Sequence, residues 1–198
     1  MAFNIQTFRH AMHYDGQRPN LFEVSIPTTA NLFNGSDLNL FVKATSIPGG
    51  TIGTVIVPYF GREVKMAGNR TFPEWTITVI NDETFAVRSQ FENWMDHINT
   101  HASNTRKAGS GQGSYTNTAK VEQFSKSGPS TAITAVYKFH NIFPTDLSEI
   151  TLDWGDNDVV EEYTVTFSYD YWLREIKTAA PATYGIQASD ILEVPVTT

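Results

Sequence analysis

A mainly β fold, an antiparallel sandwich or barrel with one amphipathic α-helix, is predicted by three patterns in this chain. Val159, Glu161, Tyr163, Val165, Phe167, Tyr169 and Tyr171 alternate with Glu162, Thr164, Thr166, Ser168 and Asp170. Such a long strand is dry on one face and polar on the other, with Glu161 alone spoiling the apolar row, and it belongs in an antiparallel sheet. Trp75, Ile77 and Val79 alternate with Glu74, Thr76 and Thr78, the period of a second half-buried strand. Phe91, Trp94, Met95 and Ile98 fall at i, i+3, i+4 and i+7, one helical stripe.

The elements follow in order. Leu21–Ile26 reads as a short strand ended by Pro27, and Leu38–Ile47 as a longer one closed by the Pro48-Gly49-Gly50 turn. Val55–Phe60 and Arg62–Ala67 continue the β pattern, with Pro58 marking an edge or bulge. Gly68-Asn69 is turn chemistry, and Pro73 stands at a strand start. Asn81 or Asp82 caps a helix over about 84–101, and Asp82 and Glu83 suit the positive end of its dipole. Residues 103–118 are rich in Ser, Thr, Asn and Gly and read as a loop. Ala119–Phe124 and Thr131–Phe143 flank Ser127-Gly128-Pro129 as a hairpin, with Ile133, Ala135, Tyr137 and Phe139 on one face and Thr134, Lys138 and His140 on the other. Beyond Trp172, LREIKTAA is predicted as a helical turn, and Pro181 and Pro195 leave the rest extended. The organisation is one domain, 1–172, with a C-terminal extension, 173–198. Trp75, Phe91, Trp94, Met95, Ile98 and Phe167 are the predicted core.

Composition narrows the function classes. The chain has 198 residues and no cysteine, which excludes a disulfide framework and thiolate chemistry. The N-terminus lacks the basic start and apolar core of a secretory signal. No apolar run approaches the roughly 18–20 residues of a membrane span, so no membrane anchor is expected. Net charge is −7, from 14 basic and 21 acidic residues, which argues against binding a phosphate backbone. Asp146, Glu149, Asp153, Asp156, Asp158, Glu161 and Glu162 crowd into 17 residues without a Lys or Arg. They read as a solvated turn and strand face, or as a surface that repels nucleic acid or docks a basic partner.

The residues that imitate catalytic or binding motifs all lack a required part. His97 and His101 have the i, i+4 spacing of a metal grip, without a third ligand or the Glu of a zinc-protease helix. His10 and His13 are no better supported. Asp153, Asp156, Asn157, Asp158 and Glu161 cluster oxygens, but Gly155 precedes most of the acids, against the order of a calcium loop. Gly109-Ser-Gly-Gln-Gly113 imitates a phosphate loop without the Lys-Ser/Thr that must follow. Arg106 and Lys107 beside it form a small basic patch. Serines and histidines occur outside any nucleophile motif. No catalysis, cofactor or metal is expected. Exposed Tyr59, Tyr115 and Tyr184 leave open a carbohydrate-binding sandwich.

One resemblance runs along the chain. GNRTF-x-x-WT-x-TV-x-NDE at 68–83, followed by a helix, resembles the tail tube proteins of contractile-tailed bacteriophages of the T4 type. Arg18–Val24 and Lys43–Gly49 are similar to that family's N-terminal strand and next hairpin. Phe143–Asp146, Leu152–Trp154 and Ser168–Trp172 are similar to its C-terminal strands. The matches lie in order over roughly 18–172.

The resemblance implies a tail-tube/Hcp-like fold and a virion structural protein assembled in the host cytoplasm. It implies homohexameric rings stacked into a hollow tube inside a contractile sheath. Expected partners are other copies, the tail sheath protein, the tape-measure protein, and baseplate and tail-terminator proteins. About 24 strands would line the tube, and 16–18 already leave an open channel, so DNA passes through the lumen during genome ejection without specific binding. A six-membered ring would carry a charge of about −42, which keeps DNA from sticking. By analogy Ser46, Ile47, Pro48, Gly49, Gly50 and the β-rich segment after them to about Arg70, with Ile52, Val55 and Val57, are expected at the contact between rings. The glycines permit close backbone approach there, and the aliphatics exceed what a free loop needs. The tube of a non-phage contractile injection system is the related alternative.

Overall fold

The structure is a computed structural model that describes residues 4–12, 16–29, 33–35, 37–107, 109, 111–126 and 133–175. The elements are α1 (Ile5–Ala11), β1 (Phe22–Ser25), α2 (Leu38–Phe41), β2 (Val42–Thr45), β3 (Thr51–Tyr59), β4 (Arg62–Thr71), β5 (Trp75–Ile80), α3 (Ala86–Ile98), β6 (Asn117–Phe124), β7 (Ile133–Leu147), β8 (Glu162–Ser168) and β9 (Tyr171–Glu175). A short 3₁₀ turn, Gln112–Ser114, precedes β6.

β7 is the spine. Its 15 residues pair with β6 along one edge and with β9 and then β8 along the other, all antiparallel. The sheet order is β1-β6-β7-β8-β5-β2, which puts the four-residue strands β1 and β2 at its two ends. A bulge bends the spine. Asn117 pairs with Ile142 and Ala119 with Phe139, so His140 and Asn141 together oppose Thr118, and Asn141 takes φ 56°. The extra residue turns both Phe139 and Ile142 inward, although three positions separate them.

The predicted alternation of β5 is observed: Trp75, Ile77 and Val79 are buried. Trp75 stacks on Phe139 at 4.3 Å and lies 5.3 Å from Phe167. Its indole N–H reaches Thr45 Oγ1 at 3.0 Å and the Ser46 carbonyl at 3.1 Å, so the ring is buried with its polar handle satisfied. α3 lies over this layer. Phe91 and Trp94 are buried against Phe33 and Phe167, and Trp94 Nε1 donates to the Tyr115 carbonyl at 2.8 Å.

Several expectations need correction. The fully buried residues of α3 are Val87, Phe91 and Trp94; Ile98 packs half-buried against the core, whereas half-buried Met95 is not part of it. The helix is shorter than 84–101 because Phe85, at φ 55°, sets its start and Asn99 turns extended at its end. Asp82 caps it from one turn further back, its Oδ1 accepting from Ala86 N at 3.1 Å. Within Leu38–Ile47, Leu38, Phe41 and Val42 have helical rather than alternating spacing, so a helical turn buries Leu38 before β2 begins.

Gly68-Asn69 is not a turn. Ile52 pairs with Arg70 and Thr54 with Ala67, so Gly68 and Asn69 bulge opposite Gly53. A Cβ on Gly68 would sit 3.1 Å from the Gly53 backbone. The final strand is interrupted at Tyr169-Asp170. Tyr163, Val165 and Phe167 are buried as expected, whereas Val159 precedes the strand and is exposed, and the parity changes so that Trp172 packs inward while Tyr171 faces out. Leu173–Glu175 are strand, not helix. On β7, Ala135 and Val136 are both buried, so its first half is covered on both faces. Ser127-Gly128-Pro129 and the extension from 176 lie outside the described residues.

Candidate assembly interfaces

Among the described residues β3 and β4 pair only with each other, as a two-stranded sheet apart from the main one. Every residue of both strands is exposed except Gly68. The register sorts their side chains into two faces. Val55, Val57 and Tyr59 stand opposite Met66, Val64 and Arg62, while Thr54, Ile56 and Pro58 stand opposite Ala67, Lys65 and Glu63. The first face is apolar but for Arg62, and among the described residues nothing covers it. A lone hairpin is marginal in water, and a contiguous apolar face on one marks an interaction surface.

The tip is strained. Phe60 and Gly61 take φ 45° and 76°, the left-handed pair of a two-residue hairpin turn. A bulky aromatic rarely accepts that conformation. Phe60 is 89% exposed and meets Tyr59 edge-on at 4.6 Å, so its ring gains little from its own chain.

The foot is fastened. Pro48 is buried, and the Gly49 carbonyl accepts from Trp172 Nε1 at 2.8 Å. Phe72 packs 6.1 Å from Tyr169 and 6.4 Å from Trp172. Of the positions expected at the contact, Ile47, Ile52, Val55 and Val57 are exposed, and so are Ser46, Gly49 and Gly50; Pro48 is not. Cβ atoms at Gly49 and Gly50 would meet only ordinary contacts, at 4.0 and 3.7 Å, so packing within the chain does not demand glycine there. Tyr59, Phe60, Val64 and Met66 fall within the segment expected to reach about Arg70, but sequence reasoning did not single them out as one face, although Val64 and Met66 alternate with Glu63 and Lys65. What hid the face was the register that joins it to β3.

The other candidates separate in the fold. Among the described residues no group of three or more His, Asp or Glu side chains is placed to hold a metal. His101 lies outside α3, and its Nδ1 contacts Asp96 Oδ1 at 3.1 Å. Lys107 pairs with the same carboxylate, and the two neighbours, Lys107 first, hold Asp96 down at a pKa of about 2. Arg106 lies 4.8 Å over the Tyr115 ring. The basic patch is thus engaged within the chain. Residues 151–160 form an exposed loop in which Asp153 Oδ1 accepts from Gly155 N at 2.8 Å. Tyr115 is half-buried beside Phe143, Tyr59 is exposed, and Tyr184 lies outside the described residues.

The family model of the phage tail tube protein matches residues 17–175. The chain belongs to the phage tail tube protein family. It is 32% identical over 158 residues to tail tube protein gp19 of Enterobacteria phage T4, covering 80% of this chain and 91% of that relative. It is 27% identical over 170 residues to the tail tube protein of Serratia phage KSP90, covering 83% and 93%. Solved structures share the fold at low identity. One is the sheath-tube complex of an extracellular contractile injection system, PVC, in its extended state, with TM-score 0.57, 16% identity and coverage of 88% and 99%. Another is the tube-terminating cap of the anti-feeding prophage, with TM-score 0.59, 15% identity and coverage of 81% and 91%. This tail tube protein is a structural component of the virion tail. Among its described residues no helix is long and apolar enough to cross a membrane.

Proposed function

We propose that this tail tube protein assembles without cofactor into six-fold rings that stack into a hollow conduit inside a contractile sheath, and that it conducts the genome by geometry and charge rather than by catalysis. The observation that carries the reading is the hairpin β3–β4, an arm with an uncovered apolar face fastened at its foot to the core. A monomer gains nothing from such an arm, and a second subunit does. The short end strands β1 and β2 offer further unpaired backbone to neighbours. A six-fold ring joins unlike patches, so a surface need not match itself.

The segment from Ser46 to Val57 supports ring-to-ring contact in two parts. Pro48-Gly49-Gly50 anchors and aims the arm, and Ile52, Val55 and Val57 with Tyr59, Val64 and Met66 supply apolar area. Sheath, tape-measure, baseplate and terminator proteins are the expected partners around, within and at the ends of the tube. The acidic balance, net −7 per chain, disfavours capture of passing DNA.

Sedimentation velocity at rising concentration, with electron microscopy of the same samples, tests the reading. Rings and tubes are expected. A species that stays monomeric at high concentration, even with tail initiator present, overturns it.

A further inference from the structure

The family match begins at residue 17, yet a helix precedes it. In α1 the side chain of Asn4 accepts from Gln6 N at 3.0 Å and caps the start. Ile5, Phe8 and Met12 stand at i, i+3 and i+7, all exposed, and no residue of α1 is buried. Arg9 lies in its last turn, and no ion pair involves it among the described residues. A seven-residue helix without a packed face is unstable alone in water. The apolar stripe calls for a surface.

A surface of matching chemistry lies at the opposite end of the molecule. The loop between β7 and β8 walls an open cleft of about 500 Å³. It exposes Leu152, Val159, Val160 and Trp154, the last 100% accessible. Glu149, Asp153, Asp156 and Asp158 stand among them without an ion pair among the described residues. Apolar area ringed by carboxylates fits an apolar helix that carries an arginine.

The loop on the same chain is out of reach. Gln17 Nε2 donates to the Phe124 carbonyl, and Phe124 pairs with Ile133, so the chain enters the sheet at the start of β7. The loop leaves from Leu147, at its end. At roughly 3.3 Å per residue the two ends of β7 stand about 45 Å apart, slightly less for the bulges. The stretch from Ala11 to Gln17 spans about 20 Å at most and α1 adds about 10 Å. A second copy set head to tail brings its Leu147 end to this copy's Ile133 end.

We propose that α1 of one copy docks on the acidic β7–β8 loop of a second copy, with Ile5, Phe8 and Met12 against Leu152 and Trp154 and Arg9 facing the carboxylates. The contact joins unlike surfaces, so it repeats along an array instead of closing a pair. This inference rests on the reading that copies assemble with one another.

The absence of cysteine makes a direct test available. Full-length Phe8→Cys and Trp154→Cys proteins are mixed at assembling concentration and oxidised with copper-phenanthroline. A covalent heterodimer is expected in the mixture and not in either protein alone. Arg9→Glu in the first protein should lower its yield several-fold, and Asp156→Arg in the second should restore it. Both cysteine sites are exposed, and matching thermal melts verify folding. Tubes without heterodimer overturn the inference and leave the tube reading standing. Heterodimer without tubes supports the inference and counts against that reading, and neither product overturns both. Cross-linking of Phe8→Cys to itself alone shows helix pairing instead and overturns the docking.

Discussion

The indole nitrogen of Trp172 donates to the carbonyl oxygen of Gly49 at 2.8 Å. This bond joins β9, near the end of the described chain, to the turn from which the β3–β4 arm departs. The arm makes few other contacts with the body, so its direction depends on a small set of groups: Trp172, Phe72, buried Pro48 and the Ser46 carbonyl held by Trp75.

Trp172→Phe keeps most of the ring and removes the donor. A hydrogen bond of this type is worth about 1 kcal/mol, so the subunit should remain folded. Tubes should form more slowly and be shorter, as counted in electron micrographs. Tube lengths equal to wild type would show that the bond does not aim the arm.

Charge placed on the apolar face of the arm separates assembly from folding. Val57→Lys with Val64→Glu changes exposed positions, so the monomer's free energy of unfolding in a denaturant melt should change by no more than about 0.5 kcal/mol. The sedimenting tube fraction should be lost. Replacing Pro48-Gly49-Gly50 with three alanines should likewise leave a folded subunit that stacks poorly.

Trp94 closes the space between α3 and the sheet, and its N–H is spent on the Tyr115 carbonyl. Trp94→Ala should cost about 3–5 kcal/mol in a urea melt, from lost burial and the cavity left behind. Met95→Ala, at a half-buried site, should cost clearly less.

His140 supplies a pH dependence. Its ring stacks on Tyr171 at 4.7 Å, and among the described residues its buried Nε2 has no hydrogen-bond partner. Burial first, and then the charge of Lys138, lower its pKa below the usual 6.5. The folded state thus favours the neutral ring. Its contribution is complete above the unfolded pKa and is lost as pH falls through the folded one. Between about pH 7.5 and about pH 5.5 wild type should lose more stability than His140→Gln in matched urea melts. Parallel pH profiles would remove His140 from the account.

Assembled tubes should bind DNA weakly even at low salt, because a wall that captured phosphates would do so more tightly as salt fell. Gel-shift titration checks this. Tight, salt-sensitive binding contradicts the repulsive conduit, whereas charge reversal of acids that line the lumen should slow ejection and leave tubes intact.

The sequence by itself determined the β class, the strand Trp75–Ile80, the inward row Tyr163, Val165 and Phe167, and a helix carrying Phe91 and Trp94. Each is a local pattern, in which period 2 or 3.6 places apolar side chains on one face whatever lies beyond. It also determined the family, because short motifs in order need no coordinates. Tertiary structure decided what depends on pairing across distance. Asn141 reads as an ordinary residue of the strand Thr131–Phe143 until Asn117 and Ala119 opposite show it to be a bulge. Gly68-Asn69 has turn chemistry that a bulge uses equally well, and only Gly53 opposite selects between them. Tyr59, Val64 and Met66 became one surface when the register of β3 against β4 aligned them. Strand register is set by backbone bonds between residues far apart in the chain, and no local window contains both partners.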